Sequence, residues 1–411
     1  MSAGAISQSI LLIISPLLTR LYTPEELGTY GVFIAVCATM AGIAGGRLEL
    51  AIPVAKTIDA AAELLLLTVL VACPMSALLA ALVAWLGPLF GLDSVLGEHT
   101  AIWLPLAAFS IVLFQAINYW LLWNKDYSGA GRARWVQGGS VALVQLGAGY
   151  MTSGSWGLIV GHTIGQLLGA VVGGGMTTVK QVAVSASQLS LMKCVTTLRE
   201  HRNYPIVMAP AALLNMSGQH LPILLIGGLY GVKAAGFYAI AQRVCGAPLS
   251  LVGQAIGQIF AAEAPHLMHR SSGNMLPLFS SIIKYMLTGG VLFVILLGIF
   301  APAAVSIVFG EEWRDAGVLM QILGIVFVLE FVVTPVSLTL SFLGNHGSQL
   351  WWDMIRLLSI LAAFALAAEL SLNLYEAMVV LAIALACSHM YLLKLMWNGL
   401  RKHQSTSFKS D

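Results

Sequence analysis

The stretch at residues 64–87, LLLLTVLVACPMSALLAALVAWLG, decides the class of fold to which this chain belongs. It carries no charged side chain, and it is long enough for one α-helix to cross about 30 Å of hydrocarbon at about 1.5 Å per residue. Comparable apolar runs recur along the whole sequence, separated by short polar or charged segments. In lipid only helices and closed barrels satisfy every backbone polar group, and runs of this length indicate helices. The sequence therefore predicts an all-α polytopic membrane protein.

The composition excludes several classes of function. Hydrophobic residues make up 58% of the 411 and charged residues only 9%, whereas soluble domains carry roughly a quarter charged residues. The net charge of +2 provides no basic excess of the kind that binds nucleic acid. The sequence contains no phosphate-binding loop, HExxH or GxSxG motif, and its five cysteines have no metal-ligand spacing. We therefore predict neither a primary pump nor an enzyme, with no cofactor, no metal site and no nucleic-acid partner.

Hydropathy, interrupted at clusters of charge, proline and glycine, predicts twelve membrane spans. The long polar connection at 177–203 is predicted to be a cytoplasmic linker between two six-helix lobes. The N-terminal lobe covers residues 1–176 and the C-terminal lobe covers residues 204–397, followed by a cytoplasmic tail at 398–411. The predicted spans are 3–21, 29–46, 64–87, 101–123, 135–152, 155–176, 204–230, 236–261, 282–309, 317–343, 357–368 and 372–397.

Lysine and arginine are distributed unevenly between the segments that connect the spans. With the N-terminus in the cytoplasm, most of the twenty basic residues, Arg356 among them, fall in cytoplasmic segments. Both termini are therefore predicted to be cytoplasmic. The span that follows Arg356 is short, and it becomes longer if Trp351 and Trp352 begin it as interfacial anchors.

A weak internal repeat supports two related lobes. Four residues of the first predicted outer loop recur 208 positions later in the same order. Six spans separate the two copies, so the repeat is parallel rather than inverted. Duplicated halves of this kind commonly enclose a substrate path where they meet. The first copy is Leu21, Tyr22, Gly28 and Tyr30, and the second is Leu229, Tyr230, Gly236 and Tyr238.

The clearest charge within a predicted span is Arg243, and polar residues follow it at helical spacing. Ser250, Gln254 and Gln258 continue its helix at steps that place them on one face. A charged side chain in mid-membrane costs roughly 2.5 to 3.5 kcal/mol, so it usually faces water or a partner. One interpretation is an arginine that snorkels to the interface above a helix-packing stripe. The interpretation that we favour is a face that lines a substrate cavity, in a cleft between the two lobes.

Three further polar residues lie within predicted spans. Asn215 and Gln219 are four positions apart in a proline-containing span and are candidates to bind substrate. Glu330 lies in the middle of the tenth span as a candidate for ion coupling, although a carboxyl that is simply protonated or hydrogen-bonded is an equal alternative. Glycines recur every fourth residue within 157–173 and predict close helix packing, and His162 beside them is predicted to be a hydrogen-bonded packing residue.

Four segments carry a resemblance to a known family. They are LTRLYTPEELGTYG at 18–31, RLELAIP at 47–53, the stretch 204–260 with GFYAIAQR at 236–243, and FGEEW at 309–313. These segments resemble bacterial polysaccharide-biosynthesis transporters, which include O-antigen and capsular repeat-unit flippases within the MATE-like flippase superfamily. The resemblance implies two six-helix lobes, related by a twofold axis along the membrane normal, that alternately open a central cavity to each side.

The resemblance also implies a cargo, an undecaprenyl-pyrophosphate-linked oligosaccharide moved from the cytoplasmic to the periplasmic leaflet of the inner membrane. Related lipid-linked precursor flippases carry cavity arginines on their first, second and eighth helices, and Arg20, Arg47 and Arg243 lie on those helices here. Guanidinium groups bind phosphate bidentately, and side-chain amides offer donors and acceptors to sugar hydroxyls. The implied partners are the lipid-linked substrate, membrane lipids, and a polysaccharide polymerase or glycosyltransferases.

Two other functions stay open at this point. One is a cation-coupled multidrug exporter of the same fold, which would prefer an acidic, aromatic-lined cavity. The other is a non-transporting scaffold of a polysaccharide synthesis complex. The single membrane-central acid, Glu330, favours the exporter less than the arginines favour a carrier of anions.

Overall fold

The structure is a computed structural model that describes residues 3–92, 95–97, 102–151, 154–187, 191–269 and 275–407. Within these residues every regular element is a helix. Some predicted features fall outside the described residues: the span ends Ala101 and Thr152, linker positions 188–190, tail positions 408–411, and the basic residues Arg270 and Lys409.

Helix packing divides the chain into two compact units, Met1–Gly236 and Phe237–Asp411. The elements of the first unit are α1 (Ala3–Leu21), α2 (Pro24–Ala44), a 3-10 helix (Leu48–Val54), α3 (Ile58–Leu86), a 3-10 turn (Gly87–Phe90), α4 (Leu104–Trp123), α5 (Tyr127–Met151), α6 (Trp156–Ser187), α7 (Leu191–Glu200), a π turn (Tyr204–Met208), α8 (Ala209–Tyr230) and the first half of α9 (Val232–Ala241). The second unit continues with a π turn (Gln242–Gly246), α10 (Ala247–His269), α11 (Leu276–Phe309), a 3-10 turn (Glu311–Trp313), α12 (Arg314–Val333), a 3-10 turn (Thr334–Val336), α13 (Thr339–Phe342), α14 (His346–Glu369) and α15 (Leu374–Ser407).

Each of the twelve predicted spans overlaps a helical segment of the structure. Among the described residues, ten helices are long and apolar enough to cross a membrane. The two segments outside those ten are α1, whose apolar part is Leu12–Leu21, and the less apolar α5. These two helices pack against each other. The protein is an all-α polytopic membrane protein, as the sequence predicts.

The turn that carries the family resemblance is the N-terminal cap of α2. Thr23 Oγ1 accepts a hydrogen bond from the Glu26 N–H, and the Glu26 carboxylate accepts one from the Thr23 N–H. This capping box satisfies two donors that the first turn of a helix leaves without partners. Pro24 occupies the first helical turn, where its missing N–H costs nothing. The LYTPEE segment therefore fixes where α2 begins.

The two glycines of the repeat bring the starts of α2 and α9 into direct contact. A Cβ at Gly28 would lie 1.8 Å from the Val232 carbonyl oxygen, and a Cβ at Gly236 would lie 2.0 Å from the Pro24 carbonyl oxygen. Pro24 and Val232 are also 208 positions apart, so the contact is reciprocal. Only glycine permits so close an approach of one backbone to another. The contact supports the internal repeat.

The glycine face of α6 packs against α5. A Cβ at Gly161 would lie 2.7 Å from Gln145 Cγ, so the two helices approach each other at this face. His162, beside that face, has Nδ1 3.3 Å from Tyr30 Oη and Nε2 3.4 Å from Gln166 Nε2. Both predictions, of a packing stripe and of a hydrogen-bonded packing histidine, are confirmed.

The packing boundary falls later in the chain than the predicted boundary between lobes. α8, the first helix of the predicted C-terminal lobe, packs against α2 of the first unit. The predicted linker is largely helical, because a second helical segment follows a kink at Gly175, where φ is 53° and ψ is 174°, and α7 comes after it. Packing groups helices by contact rather than by position in a repeat, so the six-plus-six organisation stays a prediction.

In the second unit, small residues decide how α10 packs. A Cβ at Gly253 would lie 3.2 Å from Thr334, and a Cβ at Gly257 would lie 3.4 Å from Pro335. Phe260 continues this face and is fully buried in the core of the unit. One face of α10 therefore packs against the rest of the unit, and the polar residues beside that face do not take part in this packing.

Candidate functional site

The predicted site residues are distributed over both units. In the first unit, Arg20 and Arg47 flank opposite ends of α2, whose 21 residues separate them by roughly 30 Å. Arg20 is exposed at the end of α1, and Arg47 is half-buried. The structure therefore does not bring these two arginines together. The first unit holds Arg20, Arg47, Asn215 and Gln219, and the second holds Arg243, Ser250, Gln254, Gln258 and Glu330.

Arg47 lies in a left-handed turn that pairs it with Glu49. Gly46 and Arg47 have φ values of 59° and 58°, and Arg47 Nη1 lies 3.6 Å from Glu49 Oε1. The Glu49 side chain is only 2% exposed. Burial raises the pKa of its carboxyl above the usual range, and this outweighs the opposing effects of its own backbone amide and of Arg47. Sequence reasoning found Arg47 and missed Glu49, because residues two apart do not share a helical face and only the turn brings them together.

A second guanidinium lies near this pair. Arg134 Nε donates a hydrogen bond to Asn118 Oδ1 at 3.2 Å. The neighbouring Tyr119 interacts electrostatically with Glu49, Arg47 and Arg134. The sequence alone indicates only that Arg134 is a basic residue of a predicted cytoplasmic segment. The structure adds it to a polar cluster within the first unit.

The two amide candidates on α8 bind each other. Gln219 Nε2 donates to Asn215 Oδ1 at 2.7 Å, as their four-residue spacing allows. Asn215 is half-buried and Gln219 is exposed. Side-chain amides carry both donors and acceptors, the groups that sugar hydroxyls bind.

Arg243 lies in the π turn between α9 and α10. Its side chain is half-buried, and its Nη1 atom is buried with no hydrogen-bond partner among the described residues. A buried donor of this kind is costly unless something accepts from it, and π turns occur frequently at functional sites. The guanidinium is therefore the strongest anion-binding candidate of the second unit.

The predicted polar stripe continues along α10 but is offset from Arg243. A π turn holds more residues per turn than an α-helix, so spacing counted at 3.6 residues does not carry through it. Ser250 Oγ donates to the Ala247 carbonyl of its own helix at 2.9 Å. Gln254 and Gln258 are exposed, next to the glycine face that packs on the turn at Thr334–Val336. The two glutamines are therefore placed to offer amides, while Ser250 is partly used by its helix.

Arg356 and Trp352 are buried within α14, which corrects two predictions. Arg356 was assigned to a cytoplasmic segment, yet its side chain is 8% exposed and Nη2 lies 3.1 Å from Asp353 Oδ1. Its guanidinium lies 4.6 Å from the centroid of the Trp352 ring. Trp352 is buried and its Nε1 donates to the Ser388 carbonyl at 2.9 Å, so it does not act as an interfacial anchor. The longer span that the sequence left open is confirmed, because the apolar helix covers Gly347–Glu369. The helix starts ten residues before Arg356, and a paired charge can lie inside it.

Glu330 belongs to the electrostatic neighbourhood of that buried pair. It lies near the end of α12, its side chain is exposed, and it interacts electrostatically with Arg356 and with the buried Tyr238. Gln242 Nε2 donates to Tyr238 Oη at 2.7 Å. The second unit therefore surrounds Glu330 with a cation and a phenol, neither of which the sequence linked to it.

The arrangement of helices defines the class of protein, a helical membrane protein with a MATE-like fold. The solved structure of the lipid II flippase MurJ in an inward closed conformation matches 99% of this chain and 90% of its own, with a TM-score of 0.70 and 12% identity. An inward-facing multidrug resistance MATE family transporter of the MOP superfamily matches 98% of this chain and 96% of its own, with a TM-score of 0.67 and 13% identity. At such identities the likeness concerns the fold alone.

The chain belongs to the polysaccharide biosynthesis protein family, whose model matches residues 17–318. It is also similar to the succinoglycan biosynthesis transport protein ExoT of Rhizobium meliloti (strain 1021). The two are 23% identical over 380 residues, which cover 90% of this chain and 72% of ExoT. The resemblance drawn from the sequence motifs is therefore confirmed.

Proposed function

We propose that this protein flips an undecaprenyl-pyrophosphate-linked oligosaccharide from the cytoplasmic to the periplasmic leaflet of the bacterial inner membrane, by alternating access. The product would supply a surface polysaccharide, either O-antigen, capsule or exopolysaccharide. Its partners would be the lipid-linked sugar, membrane lipids, and a polymerase or glycosyltransferases. Both termini would lie in the cytoplasm. Family membership and the similarity to a succinoglycan transport protein support this proposal.

The observation that carries the proposal is the state of Arg243. Its Nη1 atom is buried and has no hydrogen-bond partner among the described residues. A pyrophosphate offers several anionic oxygens, and hydrogen bonds between charged groups are about twice as strong as neutral ones. A planar guanidinium can bind two such oxygens at once. Arg243 would therefore hold the headgroup, while the Gln254 and Gln258 amides would bind sugar hydroxyls.

The first unit carries its own set of groups that would bind the cargo. Arg47 and Arg134 lie in one electrostatic cluster with the Tyr119 phenol. Asn215 and Gln219 add amides on α8. Arg20, exposed about 30 Å from Arg47 along α2, would act at the opposite end of the path.

The rival function is a cation-coupled multidrug exporter, and Glu330 is the residue that would serve it. Its carboxylate interacts electrostatically with Arg356, so its charge is partly compensated before any cation arrives. The same unit also carries Arg243, whose charge has the same sign as that of a cationic drug. The charges therefore favour an anionic cargo. Glu330 would instead couple transport to a proton or cation, and Glu330→Gln should then alter the pH dependence of transport.

The deciding experiment reconstitutes the whole chain in proteoliposomes with a fluorescent undecaprenyl-pyrophosphate oligosaccharide. A membrane-impermeant quencher measures how fast the labelled headgroup crosses the bilayer. We expect crossing that depends on the protein and is lost in Arg243→Ala. A scaffold gives no protein-dependent crossing at any load. A multidrug exporter also gives no protein-dependent crossing of the headgroup, but it transports a cationic dye. We expect this chain not to transport that dye.

A further inference from the structure

The segment between α2 and the following 3-10 helix holds a charged pair in an unusual backbone conformation. Gly46 and Arg47 both have positive φ, and Arg47 is one of three described residues other than glycine with this property. A left-handed conformation is uncommon for a residue with a side chain, and surrounding structure must hold it. Here it turns the guanidinium of Arg47 towards the carboxylate of Glu49, with Nη1 and Oε1 3.6 Å apart.

The carboxylate of Glu49 is poorly solvated. Its second oxygen, Oε2, is buried and has no hydrogen-bond partner among the described residues. A Cβ built on Gly45 would lie 3.0 Å from this oxygen, 2.9 Å from a methyl group of Val112 and 3.3 Å from the methyl group of Thr68. The Thr68 hydroxyl donates to the Leu64 carbonyl instead. An ionised carboxylate in this position therefore has one cation, its own backbone amide and apolar side chains around it.

Other charged and titratable groups lie on the helices around the segment that carries Glu49. α4 contributes Tyr119, and Arg134 of α5 adds a cation to the same cluster. α3 carries Glu63, whose carboxylate accepts a hydrogen bond from Thr197. The π turn at Tyr204–Met208 packs on the segment with Tyr204. Arg47 is the cation that acts on the Glu49 carboxylate, and Arg134 acts on Tyr119.

We propose that Glu49 is a protonatable counter-ion that controls when Arg47 can bind a phosphate group. The ionised carboxylate holds the Arg47 guanidinium, and a proton taken up by Glu49 releases it to a phosphate oxyanion. This inference rests on the proposed function, because the anion it assigns is the pyrophosphate of the lipid-linked sugar. The proton and the headgroup then bind to the first unit together, and each raises the affinity for the other.

The electrostatics of the site agree with this coupling. Burial raises the pKa of Glu49, so the carboxyl accepts a proton at a higher pH than an exposed glutamate does. A pyrophosphate beside Arg47 would add negative charge next to the carboxylate, which favours protonation further. Affinity is therefore full below the pKa of Glu49 and falls as the pH rises through it.

The test measures binding to the whole chain in lipid nanodiscs. The probe is a short-chain isoprenyl diphosphoryl sugar, a diphosphate diester that titrates well below the pH range used. Its affinity is measured at several values between about pH 5.5 and about pH 8.5, and we expect the wild type to lose about tenfold in affinity across this range. Glu49→Gln should bind as tightly as the wild type does at low pH, with no pH dependence.

Two further variants complete the design. Arg47→Gln should bind weakly at every pH, since a proton on Glu49 then releases no guanidinium; it decides the matter even if Glu49→Gln does not fold. Glu63→Gln is the matched control and should keep the wild-type pH dependence. If Glu49→Gln or Arg47→Gln retains that dependence, the counter-ion role is wrong and the flippase proposal stands. If the wild type binds no probe at any pH, the proposed function itself fails.

Discussion

Arg47 in the first unit and Arg243 in the second are both predicted to hold the headgroup, yet their surroundings differ. Arg47 has an acid built in beside it, 3.6 Å away and nearly inaccessible to water. Arg243 has a buried Nη1 atom with no hydrogen-bond partner in the part of the chain that the structure describes. The charge of the Arg47 guanidinium is therefore compensated within the protein, whereas the Nη1 atom of Arg243 can still donate to a ligand.

Arginines that the same family resemblance assigns to the cavity can therefore have different roles. A compensated guanidinium must exchange one anion for another, so its net gain on binding is small. An uncompensated one gains a full set of charge-assisted hydrogen bonds. We therefore expect Arg243 to supply most of the affinity, and Arg47 to make that affinity responsive to protons.

The largest expected effect is that of Arg243→Ala on transport. Hydrogen bonds to charged groups contribute about 1.5–3 kcal/mol, so their loss should slow transport per inserted molecule by about 100-fold. The control is Arg314→Ala, at an exposed arginine 3.5 Å from Glu311, which should transport normally. Flipping rates divided by the amount of folded protein measure both. A normal transport rate in Arg243→Ala would mean that this arginine has a structural role, and the proposed difference between Arg243 and Arg47 in headgroup binding would be wrong.

The next effect concerns the contact between the helices that lead to the two arginines. In Gly28→Ala the new Cβ would overlap the Val232 carbonyl oxygen, and overpacking of this kind costs about 1–3 kcal/mol of stability. The control is Gly139→Ala in α5, where a Cβ meets nothing within 4 Å and alanine is the better helix former. Thermal unfolding in detergent compares the two. Equal midpoints would mean that the reciprocal contact is not a close one.

A smaller effect is expected for Arg243→Lys. Lysine keeps the charge but loses the planar fork that binds two oxygens, so we expect transport to fall by about tenfold rather than about 100-fold. Raising the concentration of lipid-linked sugar should recover part of the rate. If lysine performs as well as arginine, recognition at this position needs only charge.

The smallest expected effect is a change in thermal stability, which tests the protonation of Glu49 independently of transport. A carboxyl whose pKa is raised in the folded state stabilises the fold below its unfolded pKa, and this contribution is lost as the pH rises through the folded pKa. Glu49→Gln carries no charge, so it should unfold about 2 °C above the wild type near pH 8 and at the same temperature near pH 4. Glu63→Gln should not reproduce this pH-dependent gain. If the difference in unfolding temperature between Glu49→Gln and the wild type is the same at both pH values, Glu49 is not an ionised, buried group near pH 8.

Much of the candidate site was visible in the sequence as residue types, but its pairings were not. Arg243, Gln254 and Gln258 stood out because polar groups within apolar runs are expensive and therefore rare. Glu49 and Arg356 did not, since each sits at a helix end or outside a predicted span, where charges are ordinary. Their burial depends on which helices pack over them, and hydropathy does not report that.

The sequence alone is enough to predict a bundle of membrane helices, because the length of each apolar run is set by the thickness of the bilayer. It also determined the start of α2 through the cap at Thr23, and the face of α6 that packs through glycine, because both depend on residues close together in the chain. The pairing of Arg47 with Glu49 and the burial of Arg356 with Asp353 are visible only in the folded protein. The same holds for the π turn that sets Arg243 apart from the polar residues of α10. These features depend on the left-handed turn, the local winding of the backbone and the packing of distant helices, which a pattern counted at 3.6 residues per turn does not contain.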